Sequence, residues 1–320
     1  MLALLVLMAL GGNMAYISVA DGGPEQVFKL GPEDLVATSP VIVAGPVSGY
    51  SRQVQKHSQP GPDGFPLEWV ATGQIQELHA LKGEAPLGPL SFSRAERSVF
   101  LPLDPATPVW EREYGEFSPQ GQAVLFLGAG DPHPIIKVLP SGSGEQDLVG
   151  LVRDIVRIQL IQDPAQQRHG WLSYLTSVRS DEGRRAALRS LVGGGVGWSQ
   201  MAPALKTLFE EPGVSQNSRG FAFGFVAFHV VGGTWGEQAE AAVDLLCQVF
   251  SGERDADVAL EYLQSFKLML DYTIEEPLQM SREPLRKHIL QCLEKWASTG
   301  LRNAELEEEY EEIRANYGAP

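Results

Sequence analysis

The spacing of apolar residues changes near Gly144, and this change constrains the fold more than any other feature of the chain. Before it, apolar residues recur at every second position, the period of a half-buried strand. After it, they recur at every third or fourth position, the period of an amphipathic helix. Strands followed by helices predict a β domain and then an α domain. A length of 320 residues suits two domains of ordinary size.

The first half predicts a small antiparallel, OB-like β-barrel over residues 39–140, preceded by a polar lead-in at 21–38. Alternation is clearest at 67–75, and its phase shifts at Gln76-Glu77, which indicates a β-bulge. Lys82-Gly83 indicates a turn, since glycine adopts positive φ without a steric penalty. Residues 48–64 are rich in Ser, Gln, Pro and Gly and predict a loop. Other strands are expected at 41–45, 90–93, 99–103, 123–127 and 135–139.

Three segments of this half occur in an order that is similar to the TIMP-like (netrin-like) OB-fold module. They are residues 41–47 (VIVAGPV), 75–83 (IQELHALKG) and 121–127 (GQAVLFL). The resemblance covers about residues 35–140 and implies a secreted barrel that is used for binding. Metalloprotease inhibitors of that family act through an amino-terminal cysteine and are braced by disulfides. Residues 21–140 contain no cysteine, so neither property is expected here.

The second half predicts a linker at 141–145, an α-helical domain at 146–299 and an acidic C-terminal helix or tail at 300–320. It resembles α-hairpin stacks of the HEAT or armadillo kind, although an irregular helical domain is the alternative because no fixed repeat period is present. Residues 221–231 predict a central buried helix, since 11 residues are too few to cross a bilayer. After a first helix at the start of this half, the expected helices are 165–179, 182–192, 199–210, 216–231, 235–251, 255–272, 281–297 and 303–317.

The first twenty residues are typical of an export signal. Residues 2–10 form an unbroken apolar run that is too short to span a bilayer. Ser18-Val19-Ala20 provides a cleavage pattern, with Asp21 as the expected first residue of the mature chain. No Lys or Arg precedes the apolar run, so a retained anchor, a misplaced start codon and a buried first element remain alternatives. The chain is therefore expected to be secreted or in the periplasm or cell envelope, with no transmembrane span beyond a possible N-terminal anchor.

Charge and cysteine content limit the partners and the chemistry. The formal net charge is −15, and both halves are acidic without a basic run, which argues against nucleic acid or anionic lipid as the main partner. The two cysteines, Cys247 and Cys292, lie on predicted helices among apolar residues. They are either buried free thiols or, if their helices are adjacent in an oxidising compartment, a disulfide.

No catalytic residue, cofactor or metal site is predicted. The six histidines have no spacing that would bring three or four ligands to one ion. His133 is expected in a surface turn, and His229 as a hydrogen-bonded core residue. Ser141-Gly142-Ser143-Gly144 has its glycines at the wrong offset for a nucleophile elbow. Gly128-Ala129-Gly130 lacks the third glycine and the helix of a dinucleotide site.

These observations favour an exported, non-catalytic binding protein whose partner is another extracytoplasmic protein. The expected contact surfaces are the loops at 48–64 and 105–119, with Trp110, Tyr114 and His57 as candidate contact residues. The alternative is an exported hydrolase whose site is assembled between the two domains from distant carboxylates and histidines.

Overall fold

The computed structural model divides the chain into two compact units, residues 1–167 and 168–320. Strands dominate the first, the sheet unit, and helices make up the second, the helical unit. The predicted order of a β domain followed by an α domain is therefore confirmed. The division falls after the predicted linker, because the first helix beyond the sheet packs against the sheet. The residues that the structure describes are 9–10, 13–14, 31–56, 67–97, 121–130, 133–142, 147–275, 283–299 and 303–318.

The described strands of the sheet unit are β1 (Ala9–Leu10), β2 (Asn13–Met14), β3 (Val41–Lys56), β4 (Leu67–Ile75), β5 (His79–Lys82), β6 (Leu90–Arg97), β7 (Gln122–Leu127) and β8 (Ile135–Ser141). Five of them form an antiparallel sheet with the strand order β6-β4-β3-β7-β8. A further strand, β5, pairs with β3 beyond the end of β4. The terminal strands β6 and β8 approach each other, so the sheet curls. A separate two-stranded ladder joins β1 to β2.

The predicted bulge between β4 and β5 is present. Val47 pairs with Ile75, and Ala44 pairs with His79. Between these two pairs, three residues lie on the chain that joins β4 to β5, whereas only two lie on β3. Gly45 lies beside this irregularity, where a Cβ would overlap the carbonyl oxygen of Glu77. The bulge therefore requires glycine on the neighbouring strand.

Two parts of the sheet unit differ from the prediction. Residues 48–56, predicted as part of a loop, continue β3 because their backbone pairs with β4, which does not depend on apolar side chains. The predicted lead-in contains a helix, α1 (Pro32–Thr38), whose Leu35 and Val36 are buried. The expected strand at 99–103 lies outside the described residues.

A helix covers the middle of the sheet. All apolar residues of β7, from Ala123 to Leu127, are buried, which shows that both faces of this strand are covered. The next helix, α2 (Leu148–Gln159), packs against β5, β7, β8 and α1. Its Gln159 side chain donates a hydrogen bond to the carbonyl oxygen of Glu33 in α1 at 2.9 Å.

The helices that follow α2 are α3 (Pro164–Ser177), α4 (Asp181–Gly193), α5 (Trp198–Glu210), α6 (Gln216–Val231), α7 (Ala239–Gly252), α8 (Ala256–Glu275), α9 (Glu283–Thr299) and α10 (Ala304–Tyr317). They begin and end within four residues of the predicted bounds. Ser180 caps α4, because its Oγ accepts a hydrogen bond from the N–H of Gly183 at 3.1 Å. A short 3₁₀ turn, Gly236–Gln238, precedes α7.

The central buried helix is α6, as predicted from its apolar run. The ring of Phe223 stacks on Tyr262 of α8 with centroids 3.9 Å apart, and Phe266 lies edge-on to it at 5.3 Å. Close approach between α6 and α8 occurs at Gly220, where a Cβ would overlap the Glu261 carboxylate, whereas Gly224 has room for one. No helix within the described residues combines the length and apolarity needed to cross a membrane.

Candidate functional site: a cleft in the helical unit

A cleft of about 670 Å³ opens in the helical unit between α5, α6, α7 and the loop that joins α7 to α8. Its size is typical of a ligand site. We call it the α5–α7 cleft. Its lining comprises Lys206, Phe209, Glu210, Arg219, Leu245, Gln248, Val249, Gly252, Glu253, Arg254 and Asp255.

One wall of the cleft is apolar. Leu245 and Val249 are four residues apart on α7 and therefore lie on the same face of the helix. Phe209 of α5 completes the wall, and its ring lies edge-on to the buried Phe223 at a centroid distance of 6.5 Å. All three side chains are half-buried, so part of their apolar surface remains accessible in the cleft.

An ion pair between Arg219 and the buried Glu253 forms another part of the lining. Glu253 follows the end of α7 and is 8% exposed. Its Oε2 accepts a hydrogen bond from Arg219 Nη1 at 3.0 Å, and its Oε1 accepts from the N–H groups of Arg254 and Asp255 at 2.8 and 2.9 Å. Three donors compensate for the removal of this carboxylate from water.

Two buried donors that interact with the Glu253 charge have no hydrogen-bond partner for the atom concerned within the part of the chain that the structure describes. They are Nε of Arg219 and the hydroxyl of Tyr262. Burial, followed by the charge of Glu253, raises the pKa of the Tyr262 hydroxyl. The phenol therefore remains a neutral donor over the physiological range. Both atoms are fully buried, so neither forms part of the surface that a ligand in the cleft would meet.

The other charged residues of the cleft differ in their hydrogen bonds, ion pairs and exposure. The Asp255 carboxylate accepts a hydrogen bond from the Gln216 side chain and from the N–H groups of Asp257 and Val258, at the start of α8. Lys206 and Glu210 form a surface pair at 3.7 Å. Arg254 is exposed.

A second polar cluster joins the beginnings of α4 and α6, away from the cleft lining. Oδ1 of Asp181 accepts hydrogen bonds from the hydroxyls of Ser215 and Ser218 at 2.6 and 2.7 Å. The buried Arg184 guanidinium lies 3.5 Å from the same oxygen. This cluster ties two helix starts together.

The disulfide alternative is the one that the structure shows. Cys247 of α7 is bonded to Cys292 of α9, with their Cα atoms 5.7 Å apart. His288 of α9 also contacts Asp244 of α7 at 2.9 Å. Two contacts therefore hold α7, which carries the apolar wall, against α9.

The candidate contact residues Trp110, Tyr114 and His57 lie outside the described residues. Among the histidines that are described, His229 is buried, its Nδ1 lies 3.0 Å from the Thr234 hydroxyl, and burial lowers its pKa to about 4. It is the hydrogen-bonded core residue that was predicted. Nδ1 of His133 lies 2.9 Å from the carbonyl oxygen of Gly128. The described residues contain no group of three potential metal ligands.

Sequence reasoning did not find the α5–α7 cleft. Its residues come from three helices and a loop spread over residues 206–255, and no spacing rule connects them. The one available signal is the sequence Glu253-Arg254-Asp255, a charged break between two apolar helices. Comparison of the chain with protein-family models, with curated proteins and with solved structures finds no match.

Proposed function

We propose that this chain is an exported, non-catalytic binding protein and that the α5–α7 cleft holds a segment of its partner, another extracytoplasmic protein. The observation that carries the proposal is the accessible apolar wall of Phe209, Leu245 and Val249, which lies beside charged residues of the same cleft lining. Binding sites commonly combine such an apolar surface with a small number of fixed polar groups.

The hydrogen bonds of the charged residues Glu253 and Asp255 favour a binding site over a catalytic site. A general acid or base must exchange a proton with its substrate. The Glu253 carboxylate instead accepts hydrogen bonds from Arg219 and two backbone N–H groups. Asp255 is bonded in the same way to the start of α8. These groups hold the loop between α7 and α8 in place and so give the cleft a fixed shape.

The proposal extends to the finer architecture. We propose that the sheet unit is an OB-like barrel of the TIMP-like kind. This is supported by the long strand β3, which pairs with β7 along one edge and with β4 and β5 along the other. We take the helical unit as an α-hairpin stack. Its helices contact both the next helix and the next but one, as in α6 with α7 and α8, which is the pattern of stacked hairpins.

The compartment and a second contact surface belong to the same proposal. Export rests on the leader-like first twenty residues, and the Cys247–Cys292 bond is of a kind that persists in oxidising compartments. The loops of the barrel, with Trp110, Tyr114 and His57, remain its proposed contacts with the partner.

Binding to the cleft can be tested with dye-labelled synthetic peptides that end in Leu or Phe, each made both as the free acid and as the amide. Fluorescence anisotropy with the whole chain gives their dissociation constants. We expect binding of at least some peptides in one or both forms. Leu245→Asp should weaken it by about tenfold or more, because a charge replaces part of the apolar wall.

A matched control is Leu268→Asp on α8, since Leu268 is 40% exposed and is not part of the cleft lining. It should bind the peptides like the wild type, and circular dichroism should show the same fold for both variants. The proposal fails if no peptide binds, or if both variants bind as the wild type does. Release of peptide fragments during incubation would favour the hydrolase.

A further inference from the structure

Arg254 places a cation at the edge of the cleft. Its backbone N–H donates a hydrogen bond to Glu253 Oε1 at 2.8 Å, which fixes its backbone beside the cleft. Its side chain is exposed. Within the described residues, no carboxylate lies within ion-pair distance of the Arg254 guanidinium.

The acidic groups nearest to Arg254 already have partners. Glu253 is bound by Arg219 and by two backbone N–H groups, and Asp255 is bound by Gln216 and by the first turn of α8. Among the charged side chains that line the cleft, the one that remains without a charged or hydrogen-bonded partner in the described part of the chain is therefore the Arg254 cation, in a chain whose net charge is −15.

We infer that the segment bound in the α5–α7 cleft is the carboxyl terminus of a polypeptide that ends in a large apolar residue. Arg254 binds the terminal carboxylate, and Phe209, Leu245 and Val249 receive the last side chain. This inference rests on the proposed function and specifies its ligand. A guanidinium matches a carboxylate through two parallel hydrogen bonds, which fixes the orientation of the peptide end.

The charge of the surroundings favours a single carboxylate over a phosphate or a polyanion. Two of the three cations in the lining are already paired, Lys206 with Glu210 and Arg219 with Glu253. Arg254 alone therefore remains to neutralise a ligand, and a second negative charge would have no partner in the lining. The acidic chain as a whole repels nucleic acids and anionic lipid surfaces. A terminal carboxylate brings one negative charge and can bring an apolar side chain with it.

The same peptides test the inference, because each exists as a free acid and as an amide. We expect the wild-type chain to bind the free acids about tenfold more tightly than the amides, in line with a hydrogen bond to a charged group. Arg254→Gln should remove this difference, because the free acid then has no guanidinium to bind. Arg254→Lys should retain part of it, since it keeps the charge and loses the paired donors.

Arg314→Gln is the matched control, because Arg314 is exposed on α10 and is not part of the cleft lining. Equal affinity of the wild type for acids and amides overturns the inference and leaves the proposed function standing. A preference for acids that survives Arg254→Gln overturns the assignment to Arg254. Tighter binding of dodecanoate than of any peptide overturns the choice of a polypeptide end. Absence of all peptide binding overturns the proposed function itself.

Discussion

The sheet unit and the helical unit differ in the polar contacts that join their helices to neighbouring elements. In the sheet unit, two side chains bind backbone atoms of α1: Lys82 Nζ donates to the carbonyl oxygen of Val36, and Gln159 donates to that of Glu33. Burial lowers the pKa of Lys82. The strands themselves are joined by backbone ladders, to which hydrogen bonds such as that from Gln74 to Ser91 add.

In the helical unit, several contacts between elements join one side chain to another. Arg219 pairs with Glu253, the hydroxyl of Ser218 donates to Asp181, and a disulfide joins α7 to α9. A helix satisfies its own backbone, so the placement of one helix against another depends on side chains. The stability of the helical unit should therefore respond to redox conditions and to pH, whereas that of the sheet unit should respond to backbone geometry.

Reduction of the disulfide should give the largest effect. Cys247 and Cys292 are 45 residues apart in sequence, and a cross-link of that span contributes about 4 kcal/mol by restricting the unfolded chain. Dithiothreitol should lower the denaturation midpoint and speed hydrogen exchange in α7 and α9. Exchange in β7 and β8 should not change, because the sheet unit contains no cysteine. Urea denaturation measures the midpoint, and mass spectrometry of the deuterated peptides measures the exchange in the helices and in the strands.

The double variant Cys247→Ser/Cys292→Ser provides the control for reduction. It should have the midpoint of the reduced wild type and should not respond to dithiothreitol. A wild-type midpoint that is the same with and without reductant would show that the bond does not stabilise the helical unit.

Acid should destabilise the helical unit through His229. Burial lowers the pKa of this residue from 6.5 to about 4, so below pH 6.5 the unfolded chain binds a proton that the folded chain does not. The free energy of unfolding should fall as the pH falls from 6.5 to 4, by about 3 kcal/mol from this residue alone. Urea titrations across this range measure the loss.

The variant His229→Gln separates this contribution from that of the carboxylates, which titrate in the lower part of the same range. Its unfolding free energy should fall less than that of the wild type over this interval. If the unfolding free energies of the wild type and of His229→Gln change with pH in parallel, the pKa of His229 is the same in the folded and in the unfolded chain, which contradicts the prediction.

The sheet unit should be sensitive to a single methyl group at the bulge. Gly45→Ala would place a Cβ against the carbonyl oxygen of Glu77 and the side chain of Ile75, and overpacking of this kind costs about 2 kcal/mol. Gly193→Ala is the control, since its Cβ would meet nothing within 4 Å at the end of α4. It should leave the unfolding free energy unchanged or raise it slightly. Equal effects of both substitutions in urea denaturation would contradict the close approach at Gly45.

Local patterns predicted the elements of this fold better than they predicted its site. Alternation at 67–75 and its phase shift at Gln76-Glu77 identified β4 and the bulge, because both depend on neighbouring residues alone. Residues 48–56 were predicted as a loop because they are rich in polar residues such as Ser and Gln. They form a strand because their backbone is hydrogen-bonded to β4, which their composition does not indicate. The seven residues of α1 are too few to show a helical period.

The α5–α7 cleft lay beyond prediction for a different reason. Phe209, Leu245 and Arg254 belong to two helices and a loop, and only the packing of those elements brings them together. The disulfide stayed undecided for the same reason, since the sequence does not contain the distance between α7 and α9. Features that depend on one segment can be predicted from sequence, and features that depend on how segments meet cannot.

The smallest predicted effect tests where one unit ends and the other begins. Asp147 caps α2, its Oδ1 accepting a hydrogen bond from Gly150 N–H at 2.9 Å, and Ser180 caps α4 in the same way. Replacing either by Ala should cost about 1 kcal/mol. Because α2 packs on the sheet, Asp147→Ala should speed hydrogen exchange in β7 and β8, whereas Ser180→Ala should speed exchange in α4 and α6. Faster exchange in α4 and α6, but not in the strands, after Asp147→Ala would place α2 with the helical unit, as the predicted linker at 141–145 implied.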